Sequence, residues 1–418
     1  MTDKKINRNT SLFASTIINL CVGAVYAFSV FAGPLAAHFN WTRSQVMTAF
    51  TISTAISAIS MILGGKLVDK GGARIAIMLG SAMFGIGFIL TSFVRTPLGL
   101  YLSYGVVTGL GQSMAYSGNL GNIIKLFPDK KGLASGIVTA GYGGGTILAA
   151  PIINYLIQSQ GVLATFRFMG IAYFLITVSL SMFVKPAPAG YKGVKDKSSI
   201  STNDITEDVT ENVTDVHWTS MIKKPKFYLI VAMLMIGALS GMMITSNAST
   251  IGQSMFGLSA TKAAFYVSLY ALSNCLGRVF WGTISDKLGR YKALICIYSI
   301  IAIMLLFIAN TTSILGFACS LIGIGLCFGG TMGVFPSVVA EKFGMKYHGV
   351  NYGITFIGYS AAAFFGPKIA VQVADSNKGD FTLAFYIALV LSLGGIFLTL
   401  LFMSLEKKNI NEKNKIYL

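Results

Sequence analysis

The sequence predicts an all-α membrane protein of 12 transmembrane helices in two pseudo-symmetric six-helix halves, and three observations carry that prediction. The 418 residues are 54% hydrophobic and 11% charged, with a mean hydropathy of +0.69. Soluble domains are about 25% charged, so this chain is built for lipid. Its apolar residues fall into blocks of roughly 20, enough to cross about 30 Å of hydrocarbon at about 1.5 Å per helical residue. Finally, the sequence resembles itself at an offset of 217 residues.

The first span, 12–32, follows Lys4, Lys5 and Arg8, which look like the basic start of a signal peptide. Its apolar block is too long for one and lacks a small-residue cleavage site, so it is read as a retained helix. Spans 44–64, 75–94, 98–122, 132–156 and 164–184 complete a first half, residues 1–185. Residues 186–224 run through Ser, Thr, Asp, Glu and Lys with almost no apolar content. Such a stretch cannot bury a core and is expected to be a flexible cytoplasmic linker. Spans 227–250, 261–284, 292–311, 313–337, 349–373 and 381–404 form the second half, residues 225–418.

The formal net charge of +17 is explained by where the charges fall. With a cytoplasmic N-terminus, the tails and even-numbered loops carry 25 of the 32 Lys and Arg residues. This is the positive-inside bias, and it predicts a multi-pass protein of the cell membrane with both termini cytoplasmic. The basicity therefore speaks for topology and against a nucleic-acid partner. The 5 cysteines all lie within spans without metal-ligand spacing, and no His-x-x-x-His or Gly-x-Ser-x-Gly element is present. Neither an enzyme, a metal nor a cofactor is expected.

The offset of 217 relates Gly65, Asp69, Lys70 and Gly72 to Gly282, Asp286, Lys287 and Gly289. It also relates Gly132, Gly136, Gly141 and Tyr142 to Gly349, Gly353, Gly358 and Tyr359. Asp69 and Asp286 each follow the second helix of a half, at a membrane edge where a carboxylate accepts hydrogen bonds from a neighbouring helix N-terminus. They are the expected gating residues; the alternative is a turn that only sets topology. Glycine pairs four apart, such as Gly105 with Gly109 and Gly141 with Gly145, are expected to let helices pack closely. All three histidines, His38, His217 and His348, are read as loop residues and none as a proton shuttle.

All 15 acidic residues fall outside the spans as drawn, whereas Arg278 falls well inside one. An arginine at mid-helix costs roughly 2.5 to 3.5 kcal/mol on insertion scales, and no carboxylate is placed to offset it. A ligand anion is the expected partner; the alternative is a guanidinium satisfied by backbone carbonyls and Asn or Tyr side chains. Arg278 lies eight residues before Asp286, about 12 Å along a helix, hence near the middle. Tyr142, Tyr359 and Tyr116 reach the same layer by the same arithmetic, and Tyr26 lies just past the centre of its span. Each is either a cargo contact or a packing residue with its hydroxyl satisfied locally. Asn274, one turn before Arg278, orients the guanidinium or touches the cargo. Gln112, one turn before Tyr116, and Phe356, near Tyr359, complete this set. Lys368 is expected to snorkel to the outer surface.

The local motifs Phe127-Pro128-Asp129-Lys130-Lys131-Gly132-Leu133-Ala134-Ser135-Gly136, Gly277-Arg278, Phe280-Trp281-Gly282, Ser285-Asp286-Lys287, Phe335-Pro336-Ser337 and Asn351-Tyr352-Gly353 span both halves. They resemble the oxalate/formate antiporter family of the major facilitator superfamily, which includes bacterial lactate and pyruvate carriers. The resemblance implies the superfamily fold, alternating access and a substrate arginine at Arg278. In that family's oxalate exchanger a lysine on the eleventh helix supplies a second cation, and Tyr359 stands at that position here. Two aromatic positions on the tenth helix become Met332 and Phe328, and the tyrosines of the fourth and first helices match Tyr116 and Tyr26. One fixed positive charge suits one negative charge, so the expected cargo is a small monocarboxylate such as lactate, pyruvate or formate. An oxalate-type dicarboxylate exchanger and a non-transporting anion sensor are the alternatives. The offset maps Arg278 onto Met61, so there is no symmetric arginine pair for a phosphate ester. Without an intramembrane carboxylate, coupling is expected through an exchanged anion or a proton co-transported with the cargo.

Overall fold

A computed structural model describes residues 7–188, 190–191 and 215–416 of the chain. Its long helical segments number twelve among the described residues, in the predicted order. In the first half these are α1 (Arg8–Phe39), α2 (Arg43–Asp69), α3 (Ala73–Thr91), α4 (Pro97–Leu100, Tyr101–Thr108 and Gly109–Leu126 in one run), α5 (Lys131–Gln160) and α6 (Val162–Ser181). In the second half they are α7 (Pro225–Phe256), α8 (Ala260–Leu288), α9 (Arg290–Asn310), α10 (Ile314–Phe343), α11 (His348–Ser376) and α12 (Thr382–Ile416).

Ten of them are long and apolar enough to cross a membrane on composition alone. The other two are α4, diluted by Gln112, Asn119 and Asn122, and α8, which carries Asn274 and Arg278. Large apolar side chains such as Phe13, Tyr155, Leu175, Phe265 and Phe397 are exposed on the outside. In water such a surface aggregates; in lipid it is the solvent-matched one.

Local chemistry fixes the helix ends. Thr42 and Gln45 form a reciprocal capping box at the start of α2, and Ser259 and Ser313 cap α8 and α10. Pro225 opens α7, where a missing N–H costs nothing. Helices run several residues past the expected spans, so Asp69, Asp286 and Glu341 sit in last turns and not in loops. For the same reason the loop assignment of His38 and His348 is corrected: both are helical, and His348 is a fully buried first residue of α11 with Nε2 2.9 Å from the Pro336 carbonyl oxygen.

Three helices are irregular within the membrane. α1 tightens to a 3-10 turn over Gly23–Ala27, α4 widens to a π-helix over Tyr101–Thr108, and α11 breaks at Phe356. Such irregularities concentrate where backbone geometry serves a site.

The core of the first half is an aromatic stack of Phe31, Phe166, Phe88 and Tyr104, with Phe31 and Phe166 rings 4.0 Å apart. The core of the second half extends across the junction to Met61, Tyr116, Leu120 and Ile124 of the first. The expected close packing at glycines is seen: a Cβ on Gly145 would meet the Leu20 carbonyl at 2.4 Å, and one on Gly109 would meet Ser53 Cα at 2.8 Å.

Of the stretch expected to be a linker, residues 189 and 192–214 lie outside the described residues. Its end is structured, against expectation. Val216 donates its N–H to Phe343 O (2.9 Å) and accepts from Asn351 Nδ2 (2.9 Å), Asp215 accepts from the Lys346 N–H (3.0 Å), and Trp218–Met221 forms a helical turn with Met221 fully buried. Two buried side chains and three hydrogen bonds suffice to order a segment whose composition is otherwise polar.

Candidate functional site

The two aspartates marked by the internal repeat each make a junction between the halves. Asp69, ending α2, accepts from the N–H groups of Gly349 and Val350 at the start of α11, both at 3.0 Å, and pairs with Lys125 at 2.8 Å. Asp286, near the end of α8, accepts from Gly132 and Leu133 at the start of α5, at 2.9 and 2.8 Å, and pairs with Arg290 at 2.6 Å. The contacts of the carboxylates with the N–H groups are images of each other under the offset of 217, whereas the cations are not, since Arg290 maps onto Ala73. In both, a carboxylate takes up the unsatisfied N–H groups and positive end of a helix from the opposite half.

Glycine lets the backbones close to that distance. A Cβ on Gly65 would lie 2.3 Å from the Gly349 carbonyl, and one on Gly282 would lie 2.2 Å from the Gly132 carbonyl. These contacts seal the face that carries Lys125, Arg290 and most other basic residues.

Arg278 lies inward of this seal on α8 and is 7% exposed. Its Nη1 donates to the Thr139 carbonyl of α5 at 2.6 Å and its Nε to Asn274 Oδ1 at 3.3 Å. Gly143 makes room for the guanidinium, since a Cβ there would lie 2.8 Å from Cζ. Nη2 makes no hydrogen bond, and Arg278 has no carboxylate partner among the described residues. Backbone and amide groups thus hold the guanidinium in place without cancelling its charge.

The predicted tyrosines form a connected aromatic layer beside it. Tyr116 packs on Tyr142 (4.6 Å between centroids) and Tyr142 on Tyr26 (5.5 Å), while the Tyr26 and Tyr359 hydroxyls approach to 3.5 Å across the halves. Phe356 stacks on Tyr359 at 4.4 Å. Tyr26 is 39% exposed on the 3-10 turn of α1. Besides the Tyr26–Tyr359 contact, the halves are joined by the bonds of Asp69 and Asp286, by Ser135 with the Gly333 carbonyl, by Cys275 with the Ala140 carbonyl and by Arg278 with the Thr139 carbonyl, so the junction runs from the basic face to the Arg278 layer.

Not every candidate presents a free group. The Tyr142 hydroxyl donates to Gln112 Oε1 (3.0 Å) and Gln112 Nε2 to Ser53 (2.9 Å), so both are engaged with neighbours. Phe328 seats its ring against Gly241 of α7, and with Met332 it forms a buried apolar wall in the cluster that holds Tyr116. Lys368 is exposed, with Nζ over the Phe364 ring at 5.3 Å. Three features escaped the sequence reading: the Thr139 carbonyl, Gly143, and Tyr352, which packs between His348 and Phe356 on α11. Only Tyr352 had a visible signal, being one turn before Phe356.

The sequence pattern of the Major Facilitator Superfamily matches residues 12–367. The chain is similar to the oxalate:formate antiporter of Oxalobacter formigenes, at 30% identity over 86% of this chain and 84% of that protein. It is also similar to monocarboxylate transporter 12 of Rattus norvegicus, at 23% identity over 88% of this chain and 80% of that protein. The fold matches the proton:xylose symporter XylE, with a TM-score of 0.73, 13% identity and 95% of each chain covered.

Proposed function

This chain belongs to the Major Facilitator Superfamily, and from that premise we propose that it is a secondary transporter of a small organic anion, a monocarboxylate of the lactate, pyruvate or formate type, bound by Arg278. The observation that carries the reading is the Arg278 guanidinium, buried between the halves with Nη2 free and no acidic neighbour among the described residues. A buried charge without a counter-charge is costly, and a carboxylate that pairs with it through charge-assisted hydrogen bonds offsets that cost. The relatives named for oxalate, formate and monocarboxylate transport support the same class of cargo. With Tyr359 in place of a second cation, the site carries one positive charge and suits one negative charge.

The geometry supports a cycle of alternating access. The anion enters from the face opposite the basic one, passes Tyr26 and Tyr359 and pairs with Arg278. Neutralised, the site tolerates closure; the Asp69 and Asp286 contacts then break and the halves rock to open the basic face. The basic face is the cytoplasmic one by the positive-inside rule, in the cell membrane, with both termini on that side. The return step carries another anion, or the cargo travels with a proton. Nothing in this cycle calls for a catalytic step.

Counterflow tests the reading. Proteoliposomes loaded with unlabelled monocarboxylate accumulate labelled substrate if the protein is a carrier, and Arg278→Gln abolishes accumulation while leaving expression and melting temperature near the wild type. Full transport by that variant refutes the anion site, and saturable binding without accumulation points to a sensor.

A further inference from the structure

We infer that Arg8 and the segment Asp215–Met221 are braces: they hold the starts of α5 and α11 where Asp286 and Asp69 receive them. The inference concerns the gate and not the cargo, and it rests on the reading of the two aspartates as gating residues.

Each aspartate accepts N–H groups from a helix start that follows a short turn, residues 127–130 before α5 and residues 344–347 before α11. The offset of 217 maps one turn onto the other. A helix start satisfies a carboxylate only while its free N–H groups point at it, and turns are the most mobile parts of a helical chain. The two turns are fastened from the same direction.

In the first half the fastening is Arg8, the first residue of α1. Its guanidinium grips the Asp129 carboxylate with two bonds, at 2.5 and 3.0 Å, and lies over the Phe127 ring at 4.6 Å. In the second half it is the segment ahead of α7. Asp215 accepts from the Lys346 N–H at 3.0 Å, and Val216 donates to the Phe343 carbonyl at 2.9 Å. Val216 also accepts from Asn351 Nδ2 at 2.9 Å; Asn351 shares the first turn of α11 with Gly349 and Val350, the residues that Asp69 receives. Gly344, at a φ of +82°, leaves the space that the Asp215 carboxylate fills, and the His217 ring meets Tyr347 edge-on at 5.1 Å.

The equivalence extends to the contact itself. Asp129 and Lys346 are related by the offset, the one held through its carboxylate and the other through its N–H. Both braces lead into the first helix of a half and close on the turn between its fourth and fifth helices. Their hydrogen bonds stay within their own half among the described residues, so they act on the gate through the helix starts that they hold.

Hydrogen exchange, read by mass spectrometry at the helix starts, tests this across the gate. Amide exchange scales with the population of the opened state, and halves that rock as rigid bodies break both junctions together. Asp215→Ala is expected to speed exchange of the Gly132 and Leu133 amides, at the junction it does not touch, about threefold to tenfold, the size of one net hydrogen bond. Arg8→Gln is expected to do the same to Gly349 and Val350. Asp215→Asn keeps the Oδ1 acceptor and is expected to exchange like the wild type. A merely structural role loosens only the variant's own turn, and unchanged exchange at the opposite junction overturns the braces. Asp69→Asn separates the two readings: if it speeds Gly132 and Leu133 while the brace variants do not, the braces fail alone, and if it does not, the gating reading fails and takes them with it. Should the brace variants fail to fold, the wild type decides, since a Val216 amide exchanging at least about tenfold faster than Gly349 and Val350 means the gate stays shut with the brace off, which overturns the inference.

Discussion

Replacing Asp69 by asparagine removes a charge from one of the two junctions that close the basic face. The carboxylate accepts two N–H bonds from the start of α11, both at 3.0 Å, and pairs with Lys125 at 2.8 Å. Asparagine keeps one acceptor oxygen, so one N–H loses its partner and Lys125 loses its counter-ion. A hydrogen bond to a charged group contributes about 1.5–3 kcal/mol, and the N–H bond that remains loses about 1 kcal/mol of charge assistance, so the closed state loses roughly 2–4 kcal/mol. At about 1.4 kcal/mol per tenfold, the equilibrium moves from about 30-fold to several hundred-fold toward opening of the basic face. The two N–H contacts are between halves, whereas the Lys125 pair lies within the first half, between α2 and α4. Pulsed electron paramagnetic resonance between spin labels at the exposed positions Lys70 and Lys346, with exposed Cys319 replaced by serine, reads the separation directly. The distance distribution is expected to shift to longer values in Asp69→Asn, and likewise in Asp286→Asn because the offset of 217 makes the junctions equivalent. Unchanged distributions in both variants, or a fall in melting temperature without any change in distance, would refute the reasoning.

Gly143→Ala places a Cβ 2.8 Å from Arg278 Cζ and pushes the guanidinium off the Thr139 carbonyl; carboxylate affinity in competition counterflow is expected to fall at least about tenfold, with the melting temperature within a few degrees of the wild type. Tyr359→Lys restores a second cation opposite Tyr26, so uptake of a dicarboxylate such as oxalate is expected to appear, and unchanged selectivity counts against the one-charge argument.

The twelve helices were legible because lipid imposes length and apolarity on each span, and even α4 and α8 kept enough apolar content between their polar residues to be read. The junction of Asp69 with Gly349 and of Asp286 with Gly132 was legible as a repeat, since two equivalent helix ends need the same residues twice. Arg278 stood out because a charge in lipid demands a reason. What holds it did not stand out. The Thr139 carbonyl belongs to the backbone, and Gly143 acts through the side chain it lacks, so neither leaves a chemical signature in sequence. The breaks at Gly23–Ala27 and Phe356 carry no proline, so no local breaker of that kind marks them in the sequence. The ordered end of the expected linker was misread because Val216 and Met221 are too few to register as an apolar run, yet each finds a buried position. His348 was misread because α11 begins one residue earlier than its apolar block.

A structure of the protein with a halogenated 2-oxo monocarboxylate, whose halogen scatters anomalously, reports most directly on where the cargo sits. The account predicts the carboxylate within hydrogen-bonding distance of Arg278 Nη2, in the layer of Tyr26 and Tyr359. Ligand bound elsewhere in the cleft, with the guanidinium still holding only Thr139 and Asn274, would contradict it.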